Sequence, residues 1–451
     1  MHINDHPLRA MIQCVAIALL VCGFPAFAGD FKVGIATSVI TPFLDVPLAG
    51  YYYPRSADGV HDDLLAKALI FDDGWQQIVL VACDIVDMNR KVSAEARSRI
   101  QKQLGIPPDH ILISATHSHT GPVLTPDYMK SLAHWIADSV TTARSRMQPA
   151  RLYTAIEEEP SLPHYRRYLM KDGTVVTNPG FLNPKVVKPL GPIDPKVGLL
   201  YATDARDHPL MTWVNYAVHQ DTVGGTLISA DYAYFLARLL GGVKGPDMLT
   251  VFTIGAAGNI NHWDVKRPGP QRGFGEARRL GEVIGAAVIR GYTHLELMTS
   301  PALNALSEVI DLKVQKSTQA EVEEARKILA TPPPPDVDFT LDRVKASRVA
   351  ELQEKGWKDI EAEIQVLSIG QVALVGIPGE LFVELGLEIQ KRSPFPYTYV
   401  VELANDGVDY IPTREAYDQG AYEDTSARIA AGSGEQIVDK AVEMLKRLMA
   451  E

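Results

Sequence analysis

The sequence predicts an α/β protein in which mixed sheets with flanking helices form one large domain, with a helical insertion at the surface. Three observations carry this expectation. Short apolar runs alternate with amphipathic stretches along the chain. The chain has 451 residues, 46% of them hydrophobic, which is enough for a sizeable core without disulfides. Four prolines at 332–335 interrupt two charged helical patterns.

Taken in order, residues 78–83 are an apolar run that reads as a buried strand. Residues 93–104 read as a helix, with Ser93 as its cap and Gly105 as its stop. Residues 111–115 read as another strand, and 210–218 and 248–254 as two more. Residues 275–290 have the pattern of a helix. Residues 364–376 alternate around a turn at Gly370 and predict a hairpin. Helical patterns also occupy 319–329, 341–355, 381–389 and 435–448. The prolines at 332–335 stop any helix and stiffen a connector, so 317–357 reads as a surface insertion. A domain boundary is the alternative reading. The chemistry-bearing residues fall on both sides of it, so the two parts must pack together. Inspection shows no internal repeat.

The net charge is −11 and no long Lys/Arg run occurs, so the electrostatic footprint of a nucleic-acid binder is missing. The N-terminus reads as a secretory signal peptide over 1–28. Arg9 precedes an apolar stretch at 11–24, interrupted by Gln13, and Ala26-Phe27-Ala28 offers small residues for cleavage. A retained membrane anchor is the alternative, but a spanning helix needs about 20 apolar residues. The mature chain, 29–451, is thus expected to be exported, to the periplasm or beyond. Cys14 and Cys22 would leave with the signal, and Cys83 would remain as a buried apolar residue rather than a nucleophile.

Four places carry chemistry-bearing residues. His117 and His119 follow an apolar strand, and on an extended chain they project to one side, suited to metal or acid/base work. Core histidines are the bland alternative. His219 ends a second strand-like run. Glu380 follows Ile377-Pro378-Gly379, placed to enter a cleft, and it also precedes the helical pattern at 381–389, where a charge near the helix N-terminus is the bland alternative. Tyr410, Tyr417 and Tyr422 lie in a turn-rich segment, where surface tyrosines are the default. Together these residues supply imidazoles and a carboxylate at strand ends, a usual composition for a catalytic zinc site.

In these strings the sequence resembles the neutral ceramidases. The likeness begins at Val33-Gly34-Ile35-Ala36 and Ile40-Thr41-Pro42. It passes through Gly50-Tyr51, Gly59-Val60-His61 and Ala66-Lys67-Ala68-Leu69-Ile70, and is strongest from Ser114 to Pro122 around His117-Ser118-His119. It continues through Ala217-Val218-His219, Ser229-Ala230-Asp231, Ala257-Gly258-Asn259-Ile260, Pro378-Gly379-Glu380 and Ala404-Asn405 to Tyr422-Glu423. The resemblance implies zinc (Zn2+) held by His117, His219, Glu380 and Tyr410. It implies His119 as an acid/base group, Tyr422 as a group that polarises the substrate carbonyl, and Arg166 in the cleft, with Arg167 as its rival. The family's serine is replaced by Asn261, which donates hydrogen bonds but is no hydroxyl nucleophile. The β-sandwich that longer members carry does not follow the last helix.

The implied activity is hydrolysis of a small-molecule or lipid amide, ceramide giving sphingosine and a fatty acid, with peripheral contact to membrane lipid. The metal lowers the pKa of its water toward ~7, and His119 moves the proton to the leaving amine. Two alternatives stand beside it: the same metallohydrolase acting on another amide or ester, and an exported binding protein that retains the metal without catalysis.

Overall fold

The computed structural model describes residues 31–299, 301–332 and 340–450. The expected signal peptide and Pro333, Pro334 and Pro335 lie outside the described residues.

One arrangement recurs three times along the chain. Three strands follow one another antiparallel, a helix crosses over, a fourth strand pairs parallel to the third, and another helix follows. In residues 32–145 the strands are Lys32–Val39, Leu65–Asp72, Gln77–Cys83 and Ile111–Ala115, and the helices are Arg90–Leu104 and Pro126–Ser145. In residues 148–291 the strands are Gln148–Glu158, Lys196–Asp204, Pro209–Tyr216 and Leu249–Ile254, with helices Asp231–Lys244 and Phe274–Gly291. In residues 303–450 the strands are Leu303–Leu312, Ile360–Ile369, Val372–Gly376 and Tyr397–Val401, with helices Val383–Arg392 and Ser433–Ala450. A tight turn cannot join parallel neighbours, which is why a helix stands before each fourth strand. Sequence inspection shows no repeat. The recurrence lies in strand order, which many different apolar choices satisfy.

The first two units join edge to edge through Lys32 opposite Pro149 and Val33 opposite Gln148, giving a nine-stranded sheet. The third forms a four-stranded sheet. Side chains alternate across each strand, so each sheet has two apolar faces. Leu69, Phe71, Leu80, Leu112 and Trp213 of the large sheet pack with Leu367, Leu374, Tyr399 and Val401 of the small one. The opposite face of the large sheet, with Ala68, Ile70, Val79 and Val81, meets helix residues such as Ala96, Ile136 and Leu280. Val366, Ala373, Val375 and Val400 likewise meet Ile389, Ile437 and Leu445. The result is a four-layer α/β/β/α sandwich, which is the α/β class expected.

Several local expectations are corrected. Asn89, not Ser93, caps the first helix, its side chain accepting from Lys91 N–H; Ser93 lies inside the helix and bonds Asn405 O. The strand before His219 stops at Tyr216. Glu380 stands outside the helix that follows it, two residues before the cap Phe382. It lies in a two-residue strand, Glu380–Leu381, paired with Tyr410–Ile411, and the helix starts at Val383. The patterns at 319–329 and 341–355 are the helices Gln319–Ala330 and Leu341–Glu354, which share a small apolar cluster of Val322, Ala325, Ala346 and Val349. Cys83 is fully buried. Among the described residues, no helix is long and apolar enough to cross a membrane.

Candidate metal centre

Each unit delivers residues to one place from the carboxyl ends of its parallel strand pair, where α/β sheets commonly bind ligands. His117 follows the fourth strand of the first unit, His219 the third strand of the second, and Glu380 the third strand of the third. His117 does not lie on an extended strand as expected. Its φ is 73°, so a left-handed turn rather than strand alternation brings it toward His119 and His219.

The three imidazoles face one another. His117 Nε2 lies 3.0 Å from His219 Nε2 and 3.2 Å from His119 Nε2. Glu380 Oε2 lies 3.2 Å from His219 Nε2 and 3.6 Å from His117 Nε2. His117, His119 and His219 offer nitrogen atoms all within 4.8 Å of one another, a group able to hold a metal ion.

The second ring nitrogens decide what these contacts are. His117 Nδ1 lies 2.6 Å from Val86 O, and His219 Nδ1 lies 3.0 Å from Ala257 O. Carbonyls only accept, so each ring carries its proton on Nδ1 and directs a lone pair from Nε2. Two lone pairs and a carboxylate oxygen that share one spot repel unless a cation lies between them. Glu380 Oε2 is buried and has no hydrogen-bond partner among the described residues, as that arrangement requires. Tetrahedral zinc with bonds of about 2.0–2.1 Å sets its donors about 3.3 Å apart, and the separations here bracket that value. The donors fit a metal ion. His119 differs from the other two rings, because its buried Nδ1 has no hydrogen-bond partner among the described residues.

The electrostatics agree with neutral imidazoles beside an ionised carboxylate. Burial holds the His117 imidazole down at about 4, against the pull of Glu380, and burial also depresses His119. Burial opposes ionisation of Glu380, and the Arg166 guanidinium works against that penalty to keep the carboxyl ionised. Burial pushes the Tyr410 and Tyr422 phenols up.

The remaining predicted residues stand around this group. Tyr410 pairs in register with Glu380, and the Arg166 guanidinium lies 5.3 Å from the centre of its ring. Tyr410 is buried, against the default of a surface tyrosine. Arg166 reaches His219 Nε2 at 3.3 Å, Glu423 Oε1 at 2.7 Å and Gly258 O at 2.6 Å. Arg167 points elsewhere, to Glu423 Oε2, Asp424 and Gln419. The Tyr422 ring lies 5.4 Å from that of Tyr410, and its hydroxyl is 3.0 Å from the Tyr52 hydroxyl. Asn261 is buried, and its amide is engaged by Asn178 Oδ1 at 2.8 Å and Trp263 N–H at 3.0 Å.

Sequence reading missed several participants. Glu423 is buried without exposed surface and joins both arginines to Thr177. Tyr51 sets its ring at right angles to His119, 5.5 Å away, and Arg55 bonds His119 O at 2.7 Å. Gly50-Tyr51 and Tyr422-Glu423 stood in the family likeness, so the signal existed without a role attached.

A buried group of imidazoles and a carboxylate at the strand ends of a layered α/β sandwich defines an α/β protein with a candidate metal centre. In sequence the chain is 22% identical over 528 residues to neutral ceramidase of Pseudomonas aeruginosa, covering 98% of this chain and 76% of that protein. The crystal structure of neutral ceramidase from Pseudomonas aeruginosa matches with a TM-score of 0.72 at 19% identity, over 93% of this chain and 75% of that one. A ceramidase complexed with C2 gives the same TM-score and covers 76% of its own chain. No protein-family model matches. The resemblance read from the sequence is borne out: the chain is similar to neutral ceramidase along nearly all of its length and has that fold.

Proposed function

We propose that this chain is a zinc-dependent hydrolase of an N-acyl amide, ceramidase-like in its reaction. The observation that carries the reading is the meeting of the His117 and His219 Nε2 lone pairs, 3.0 Å apart, with the Glu380 carboxylate. His117, His219 and Glu380 would hold the metal, with Tyr410 beside Glu380 as the fourth donor. When bound, the metal supplies an acidified water and polarises a carbonyl.

The chain's own residues do the rest. His119, neutral and not fixed at Nδ1, takes a proton from the attacking water and returns it to the leaving nitrogen. Arg166 and the neutral Tyr422 phenol donate toward the developing oxyanion. Asn261 stands where the resemblance places a serine. Its amide orients through Asn178 and Trp263 and attacks nothing. That engagement favours a second reading, in which the same centre cleaves a different amide or an ester. Residues 317–357 form a surface insertion in this proposal, and export follows removal of 1–28.

The test is turnover of ceramide and of a panel of N-acyl amides and esters by purified protein, with metal content measured alongside. Turnover should vanish with a chelator and return with zinc. Chelator-insensitive turnover would overturn the metal reading. His119→Ala should lose turnover while retaining zinc; loss of the zinc as well would make His119 a ligand. Cleavage of other amides or esters but not of ceramide would select the second reading.

A further inference from the structure

The turn at residues 257–260 is where the segments of the candidate centre meet. Ala257 O accepts from His219 Nδ1 at 3.0 Å, and Gly258 O accepts from Arg166 Nη2 at 2.6 Å. The Gly258 N–H donates to Leu381 O, one residue past Glu380, at 2.9 Å. A Cβ on Gly258 would lie 2.3 Å from Glu380 O, so the two backbones touch.

Glu402 lies against this turn. It directly follows the strand Tyr397–Val401 and has no exposed surface. Its Oε2 accepts from Ala257 N–H at 3.2 Å and from Leu381 N–H at 2.8 Å. Its own N–H donates to Ile254 O at 3.2 Å. One oxygen atom therefore ties the residue whose carbonyl orients His219 to the residue that follows Glu380. The other oxygen, Oε1, is buried and has no hydrogen-bond partner among the described residues. A buried carboxyl oxygen without a partner is costly, and the two residues before it, Val400 and Val401, are apolar. A space-filling role would be met as well by an apolar side chain. The two backbone donors would not.

We propose that Glu402 is a positioning residue for the metal, fixing His219 through Ala257 and Glu380 through Leu381. The inference rests on the reading of His219 and Glu380 as ligands. Groups that orient metal ligands from behind change metal affinity by about 10- to 100-fold when removed, and Glu402 acts on two ligands at once.

The experiment measures Zn2+ affinity by competition with a chromophoric chelator, and the absorption spectrum of the Co2+-loaded protein. Glu402→Ala leaves both N–H groups without an acceptor. It should weaken Zn2+ binding by about 10- to 100-fold and alter the Co2+ spectrum. Glu402→Gln keeps a carbonyl oxygen for both donors and should retain parental affinity and spectrum. Glu402→Asp withdraws the oxygen by one methylene and should behave as Glu402→Ala; it serves if the alanine variant does not fold. A folded Ala or Asp variant with parental affinity and spectrum overturns the proposal. So does a Gln variant that binds Zn2+ about 10-fold or more weaker than the parent, and this result decides the matter alone if the other two variants do not fold. A parent that binds neither Zn2+ nor Co2+ overturns the metal reading itself, and the proposal with it.

Discussion

At the scale of single residues, the centre depends on buried charges that compensate one another. Glu423 faces Arg166 and Arg167 in a place without solvent. Removing one partner of a buried ion pair leaves the other charge unsupported, at about 3–5 kcal/mol. Glu423→Ala should lower unfolding free energy by that order, read from denaturant titration. At Gly258 the constraint is steric. Gly258→Ala drives a methyl group into Glu380 O, and Zn2+ affinity should fall while the fold, followed by circular dichroism, persists. Much of this neighbourhood was legible in the sequence. His117, His219 and Glu380 each end an apolar run, and strand ends are where such sheets present side chains. The choice of Arg166 over Arg167 was not legible, because adjacent residues differ only in the side of the chain they face. Nor was Glu423, whose partners lie far away along the chain.

At the scale of elements, helices were read well in their interiors and less well at their ends. Apolar periodicity located Phe274–Gly291 within a residue at each end. The first helix was begun three residues too late, since Asn89 caps a helix that starts at Arg90 and whose first turn carries the polar Arg90 and Lys91. The short strand that holds Glu380 was not legible for a different reason. A two-residue strand has no periodicity to detect, and its partner, Tyr410–Ile411, is remote in sequence. Caps also allow quantitative tests. Thr318 and Glu321 cap the helix Gln319–Ala330 reciprocally, so Thr318→Ala should cost about 1 kcal/mol. The Thr318 backbone N–H and Lys345 hold the Glu321 carboxyl down at about 2. A depressed carboxyl contributes its stability above the unfolded value, about 4.3, and loses it as pH falls toward the folded one. The parent should exceed Glu321→Gln in stability at pH 6, and the gap should close progressively between pH 5 and pH 2.

At the scale of the whole molecule, the α/β class was legible from alternating apolar runs, but the threefold recurrence of one strand order was not. Its three units share topology while each fills its core differently. Within the large sheet the first two units pair only through Lys32 and Val33 with Pro149 and Gln148, and a second short pairing joins Gly59–Val60 to Leu227–Ile228. The candidate ligands come from all three: His117 from the first, His219 from the second, Glu380 and Tyr410 from the third. A cation bound there stabilises only the assembled form, by about 2.7 kcal/mol at a free concentration 100 times its dissociation constant. The thermal midpoint should therefore rise with added Zn2+ and drop after chelation, as read by calorimetry. Such an ion works as a rivet through three plates. Damage at the seam between plates, far from the rivet itself, should loosen its grip before any single plate comes apart.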